Sequence, residues 1–490
     1  MNQTTIFDMM YPKYKITKPI RLIEFFAGYG SQALALKYLG VPFEHWKICE
    51  WAVKSIQAYK DIHFENESAI LVGLNKEQEV ERLYKQGISS NYNEPMTKEQ
   101  INRLSYQQIY DITANNLITH NLVNIQNVKG KDLEIVETDK YDYILTYSFP
   151  CQDLSLAGKG KGMSDTSTRS GMLWEVERIL TECYELGTMP QILLMGNVPQ
   201  VHSEDNINDF YKCQLRLEEL GYKNYMKDLI ATDYGIPQTR NRCFMISILG
   251  DYSYTFPKPI PLELKLKDML EEDVNKKYYI SSKKLQYFMK NSNDKFPRGK
   301  RFKQSLKTTN EKQLAGTITT GEGNVATSNF IINKSLKETL EQNEIKDTCY
   351  IDTYNRRIDE EKSGTITTGV SFRNNTFLAI KNNTEKGYLE AEDGDGVDIS
   401  SRMEYHRGTV QKQKAQTLTT SCDIGVVNKD LRIRKLTPKE CFRLMGVKDE
   451  DFEKCAKNQS NASLYHLAGD SIVVNVLMAI LNELLKKEGE

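Results

Sequence analysis

The sequence predicts an α/β protein: a doubly wound, Rossmann-like sheet with a smaller β-rich domain. Three observations carry this. Strand-like and helix-like stretches alternate through the first half of the chain. A glycine-bearing turn follows directly on the first apolar strand. After Asp251 the composition shifts to Lys, Asn, Thr and Gly, with alternating Thr–Ile runs.

The elements follow in order. Arg21 to Phe26 is a short apolar run of strand type, and Gly28 and Gly30 make the turn into a helix, Ser31 to Tyr38. Trp46 to Cys49 reads as a second strand ending at Glu50, and Ala52 to Tyr59 as a helix. Asn66 to Thr119 is polar and mostly helical. Tyr141 to Tyr147 is a strand running into a Pro-Cys segment. Met172 to Leu186 is an amphipathic helix, Gln191 to Met195 a buried strand, Phe210 to Leu220 a helix and Arg242 to Leu249 a strand. Farther on, Gly316 to Gly321, Gly364 to Gly369 and Gln416 to Ser421 resemble one another, their starts 48 and 52 residues apart. Alternating Thr and Ile predicts strands and turns in this weak repeat. Thr437 should cap a helix over Pro438 to Met445, with Pro438 in its first turn and Gly446 ending it. Val473 to Leu485 predicts a final helix that returns to the sheet.

Bulk numbers exclude some classes. Of 490 residues, 39% are hydrophobic and 27% charged, as in ordinary globular chains. Lys and Arg total 65 against 66 Asp and Glu, a formal charge of -1. A nucleic-acid surface would therefore need uneven placement of charge. No run of about eighteen apolar residues suggests a membrane span. Met1 to Lys18 lacks the apolar core of a signal peptide. The nine cysteines contain no Cys-x-x-Cys pair and read as reduced thiols of a cytoplasmic protein, with no metal expected. The six histidines show no ligand-like spacing, and each reads as structural.

Two segments point to chemistry. Phe26-Ala27-Gly28-Tyr29-Gly30-Ser31 lets a ligand approach the backbone, and Glu50 at the end of the next strand can accept ribose hydroxyls. Ser148-Phe149-Pro150-Cys151-Gln152 puts a cysteine in the loop after a strand, where ligands of such sheets sit. A thiol there can act as a nucleophile, whereas a random cysteine is a buried filler.

With these residues, the chain resembles the DNA cytosine carbon-5 methyltransferases over almost its full length, of bacterial or phage type. Glu24 to Gly30 looks like the first methyl-donor motif. Glu50-Trp51 resembles the second, whose acid binds ribose and whose aromatic ring packs on adenine. Asn124-Ile125 occupies the third, where the family usually has Asp. Phe149-Pro150-Cys151-Gln152 is the nucleophile motif, and Thr168 to Trp174 resembles the fifth. Gln238-Thr239-Arg240-Asn241-Arg242 matches the eighth. Arg434 to Gly446 is the ninth, and Ala468 to Val474 the tenth, with Asp470 where Asn is common and Ser471 beside it.

The resemblance implies a fold and a chemistry. The fold is a methyltransferase sheet at 19–252, a target-recognition domain at 253–430 and a return to the catalytic domain at 431–490. The donor is S-adenosylmethionine. The target cytosine is flipped out of duplex DNA and attacked at carbon 6 by Cys151. Arg242 contacts the ring oxygen, with Arg240 in support. A monomer is implied, alongside a possible cognate restriction endonuclease. One branch of the fold modifies tRNA, so RNA is an alternative substrate.

One departure stands out. The sixth motif reads Gly196-Asn197-Val198-Pro199, and the family has Glu where this chain has Gly196. Loss of a general acid typically costs about 10²–10⁴ in rate. Three readings stay open: an introduced change giving a stable inactive protein, a natural loss leaving a DNA-binding remnant, or a nearby acid such as Glu175 or Asp153 standing in. The implied reader of DNA is 253–430, where Arg298, Lys300, Arg301, Lys303, Lys307, Arg356 and Arg357 cluster with Phe302 and Tyr354. Basic side chains there would contact phosphates.

Overall fold

The computed structural model describes residues 11–150, 171–279, 350–352, 357–359, 378–382, 384, 388–399, 408–420, 424–427 and 433–485. Cys151, Gln152, Asp153, the fifth-motif start and the basic cluster from 298 to 307 lie outside the described residues. So do Tyr354, Arg356 and the first two Thr-rich segments.

The chain divides into two compact units. The first comprises Met1–Glu263, Thr419–Ser421 and Cys441–Glu490; the second comprises Leu264–Leu418 and Cys422–Glu440.

The first unit is built on six strands: β1 (Ile20–Phe25), β2 (Phe43–Cys49), β3 (Asp142–Tyr147), β4 (Ile192–Asn197), β5 (Tyr222–Ile230) and β6 (Asn241–Leu249). Their order is β2-β1-β3-β4-β6-β5. The pairs β1–β2, β1–β3 and β3–β4 are parallel, while β6 runs antiparallel to both β4 and β5. Strands β1, β3 and β4 are buried along their whole length, which is why they read as largely apolar runs. Strand β5 was not foreseen. Its sequence, with two Lys, an Asn and an Asp, carries neither a β-rich composition nor clean alternation, because it is the sheet's edge and is only partly buried.

Helices cover both faces. On one side α6 (Met172–Leu186) and α7 (Ile207–Glu219) bury Leu173, Val176, Ile179, Phe210 and Leu217 against Ile23, Phe25, Leu145, Leu193 and Met245. The expected bounds of α6 match the observed ones. On the other side α1 (Ser31–Tyr38) packs with the last helix, α11 (Val474–Leu485). Between β2 and β3 lie α2 (Val53–His63), α3 (Lys76–Gln86), α4 (Lys98–Asn102) and α5 (Tyr106–Ile118), in keeping with the helical reading of that stretch. The later helices are α8 (Pro438–Leu444), α9 (Asp449–Ala456) and α10 (Asn461–Asp470). Within Asn461–Leu485 an 18-residue window has a mean hydropathy of 1.6, so the stretch is long and apolar enough to cross a membrane. It is interrupted after Asp470, and 67% of its most apolar window is buried inside the fold, as in a core helix.

The second unit contains short antiparallel ladders. Strands β11 (Gly396–Asp398), β12 (Val410–Gln411), β13 (Ile424–Val427) and β14 (Ile433–Lys435) form one sheet in the order β12-β11-β13-β14. Two further hairpins pair β7 (Tyr350–Asp352) with β8 (Arg357–Asp359), and β9 (Leu378–Lys381) with β10 (Tyr388–Ala391). The described part of the third Thr-rich segment, Gln416 to Thr420, forms no strand. Its Thr419 and Thr420 backbone lies against Gly469, where an added Cβ would sit 2.5 Å from the Thr420 nitrogen. Close packing on that glycine replaces a ladder.

The ninth motif is well accounted for. Thr437 caps α8, its hydroxyl accepting from Glu440 N while Glu440 accepts from Thr437 N. Arg434 forms a buried bidentate pair with Glu440 at 2.7 and 2.8 Å. A pair so enclosed leaves a costly lone charge if either partner is removed.

Candidate active site

The carboxyl ends of the four parallel strands share one edge of the sheet, since Phe25 pairs with both Cys49 and Tyr147, and Tyr147 with Met195. Chemistry gathers there. The loop after β1 carries the glycines, the end of β2 carries Glu50, the end of β3 leads to Pro150, and β4 ends at Asn197.

The turn after β1 is held from behind. Phe26, Gly28 and Gly30 adopt positive φ of 56, 57 and 81°. At Gly30 an added Cβ would fall on His63 Nε2 and 2.6 Å from Tyr59 Cε2. Over Gly28 an added Cβ meets nothing within 4 Å, so its outer face is open. His63 Nε2 lies 3.0 Å from the Tyr29 carbonyl. The Tyr29 ring is core material, 1% exposed and packed 5.2 Å from Phe442. Ala27 and Ser31 are buried, and the Ser31 hydroxyl bonds Gln32.

Glu50 is fixed on both oxygens. Oε2 accepts from Gly28 N at 2.9 Å and Oε1 from Ala52 N at 2.8 Å. Each oxygen keeps a lone pair for a hydroxyl. Burial pushes this carboxyl up to about 7, the two backbone donors pulling it down and Asp470 adding to the rise. Behind it, Asn121 bonds both the N–H and the carbonyl of Glu50, at 3.0 and 2.9 Å. Nothing in the sequence marks Asn121, which sits in a polar stretch without a motif. Trp51 is half-buried against the small core of Val80, Leu83 and Ile88. Asp470 is exposed and pairs with His466 at 3.0 Å, and the His466 ring lies 3.8 Å from that of Tyr92.

Asn124 is buried. Its side chain caps a short turn by accepting from Gln126 N at 3.1 Å. Ile125 belongs to the core beside α6.

The segment leading from β3 into Pro150 hangs from β4. Ser148 Oγ donates to the Gly196 carbonyl at 2.7 Å, and Asn197 Nδ2 donates to the Phe149 carbonyl at 3.1 Å. These bonds set the path of the chain into Pro150. Gly196 has no positive φ that would demand glycine; its missing Cβ would fall on the terminal methyl of Ile472, with Phe244 Cε1 3.5 Å away. Ile472 therefore fills the space of the absent side chain.

The eighth motif bonds to later segments of the chain. Gln238 is fully buried and donates to the Leu444 carbonyl at 2.7 Å. Arg240 is 2% exposed and reaches the carbonyls of Gly469 and Ser471 at 2.7 and 2.5 Å. Both hold the ninth and tenth motifs in place, because their polar ends point at those carbonyls. Arg242 differs. It is partly exposed at the start of β6, on the sheet face shared by Phe244 and its partner Gly196.

A family model described as C-5 cytosine-specific DNA methylase matches residues 85–486. The Type II methyltransferase M2.ScrFI of Lactococcus lactis subsp. cremoris is 29% identical over 477 residues, 96% of this chain and 100% of that protein. The orphan methyltransferase M.SssI of Spiroplasma monobiae is 34% identical over 268 residues, 53% of this chain and 67% of that one. Among solved structures, the S. pombe Dnmt2 methyltransferase covers 95% of this chain and 97% of its own, at 14% identity and a TM-score of 0.44.

Proposed function

The chain belongs to the family of C-5 cytosine-specific DNA methylases, and from that premise we propose how this DNA cytosine-5-methyltransferase carries out its reaction. The observation that carries the reading is the gathering of the glycine turn, Glu50, the Pro150 loop and Asn197 at one sheet edge.

S-adenosylmethionine, when bound, supplies an electrophilic methyl group. The open face of Gly28 and the free lone pairs of Glu50 fit such a donor. Glu50 would accept its ribose hydroxyls, Trp51 would flank its adenine, and Asp470 and Ser471 would border the pocket. Residues 253–430 read duplex DNA, while 19–252 and 431–490 do the chemistry. The target cytosine leaves the stack, since its ring carbons are unreachable within it. The Cys151 thiolate adds to carbon 6, and carbon 5 becomes nucleophilic and takes the methyl group. A proton then leaves carbon 5, and Cys151 departs as thiolate.

Addition places negative charge on the ring, which Arg242 would face, and the chain has Gly196 where the family's sixth motif has Glu. Gly196 therefore slows the step. Incubating the full chain with labelled donor and duplex DNA tests this, beside Gly196→Glu combined with Ile472→Val to make room. The double variant should transfer faster by roughly 10²–10⁴. Equal rates would mean that another acid, such as Glu175 or Asp153, already serves. Duplex DNA carrying 5-fluorocytosine should trap the protein through Cys151; trapping that survives Cys151→Ser would refute the nucleophile. Ile472 in the acid's place also favours a second reading, a chain that binds donor and DNA without turnover. Donor binding by the native chain with no detectable transfer would select it.

A further inference from the structure

Among the described residues, the side chains of His202, Asp228 and Cys243 converge at the β4–β6–β5 end of the sheet. One ligand-type atom from each lies within 4.8 Å of the others. They come from three elements. His202 ends the 3-10 turn Pro199–His202 that follows β4, Asp228 lies on β5, and Cys243 on β6. Their meeting follows from the register. Cys243 pairs directly with Asp228 on one side and with Asn197 on the other. Directly paired residues point to one face of a sheet, so the thiol and the carboxylate share a face. The turn then brings His202 over them. Its Nε2 lies 3.0 and 3.1 Å from the two Asp228 oxygens, and the Cys243 sulfur lies within 4.8 Å of ligand-type atoms of both residues.

We propose that His202, Asp228 and Cys243 form a binding site for a zinc-class divalent cation. One thiolate, one imidazole and one carboxylate make a borderline-soft donor set, which suits zinc over calcium or magnesium. Tetrahedral zinc with bonds of about 2.0–2.3 Å places its ligand atoms roughly 3.3–3.7 Å apart. The present set needs only modest contraction. His202 and Asp228 can supply it, because their side chains are 29% and 33% exposed. Cys243 is buried and forms the floor. The open side admits the ion and leaves its fourth position to water.

Binding is a simple exchange. The Cys243 S–H bond breaks, a sulfur–metal bond forms, and the proton passes to solvent. Affinity therefore rises with pH. Within the fold, the ion would pin the turn Pro199–His202 to β5 and β6. That turn follows Asn197 directly, and Asn197 holds the Phe149 carbonyl at the start of the nucleophile loop. The site is separate from the methyl-transfer chemistry and does not depend on it.

Cobalt(II) is the probe, since its bond to a thiolate gives a sulfur-to-metal charge-transfer band in the near ultraviolet. The full-length chain, reduced and stripped of metal, is titrated with it. The native chain and Cys151→Ser should both show the band at one equivalent, and zinc should bleach it. Cys243→Ser should lack it. His202→Gln and Asp228→Asn, both at the surface, should weaken binding about tenfold or more. Zinc should also raise the Tm of the native chain and leave that of His202→Gln unmoved. Should Cys243→Ser fail to fold, the two surface variants decide alone. No band in the native chain, a band that persists in Cys243→Ser, or affinity untouched by His202→Gln and Asp228→Asn would overturn the site. The cluster would then be a hydrogen-bonded chain only.

Discussion

Two glycines at the site, Gly30 and Gly196, exist for opposite reasons. Gly30 meets two demands at once: a φ of 81° and the press of His63 and Tyr59 behind it. An alanine there pays about 1–2 kcal/mol for the left-handed backbone, and more for displacing the Tyr59 ring. Gly30→Ala should therefore lower stability in urea by at least that amount, and donor affinity with it. An unchanged midpoint would show that the turn can relax. Gly196 has no positive φ, and what presses on it is the terminal methyl of one flexible side chain, Ile472. Gly28, Gly30 and Glu50 were legible because each sits at a fixed offset from a strand end, a matter of local spacing. Asn121, which grips Glu50 from 71 residues away, was not.

Among the elements, those with strong periodicity were the easiest to read. Helix α6 was bounded correctly because its apolar stripe ends at Gly187, whose φ of 69° closes the helix. Strand β5 escaped because an edge strand has less need of apolar alternation. The eighth motif runs into β6, and its Gln238 bridges 206 residues to the Leu444 carbonyl. Gln238→Ala would leave that carbonyl buried without this donor, a loss of about 1–3 kcal/mol. A fall in Tm that tracks a loosened α8 in hydrogen exchange would bear this out. A fall in methyl transfer at unchanged stability would restore Gln238 to a direct role.

The whole molecule carries two buried carboxyls at the donor end of the sheet. Burial pushes both Glu24 and Glu50 up from 4.5 to about 7. Glu24 is fully enclosed, accepting from Tyr59 at 2.5 Å and from Ala33 N at 3.3 Å. Below about pH 4.5 these groups hold their protons in both folded and unfolded chains and leave stability unchanged. Between about 4.5 and 7 the unfolded chain releases protons that the folded chain keeps. Their ionisation thus destabilises the fold as pH rises, in full above about 7. Urea midpoints of the donor-free chain should fall less steeply over this window in Glu24→Gln than in the native chain. Identical slopes would show that Glu24 titrates normally. Donor binding needs Glu50 as an acceptor and should tighten through the same window.

By itself the sequence determined the class of sheet, the order of the motifs and the presence of glycine at position 196. These depend on residue type and short-range periodicity, which the chain displays directly. Only the tertiary structure decided what stands opposite what. Sheet order sets β6 between β4 and β5, so Cys243 meets Asp228 and Asn197 across strands that are separate in the chain. It puts Ile472 in the space over Gly196 and turns Arg240 onto the tenth motif. No spacing rule foretells such pairs, because long-range packing and register select them.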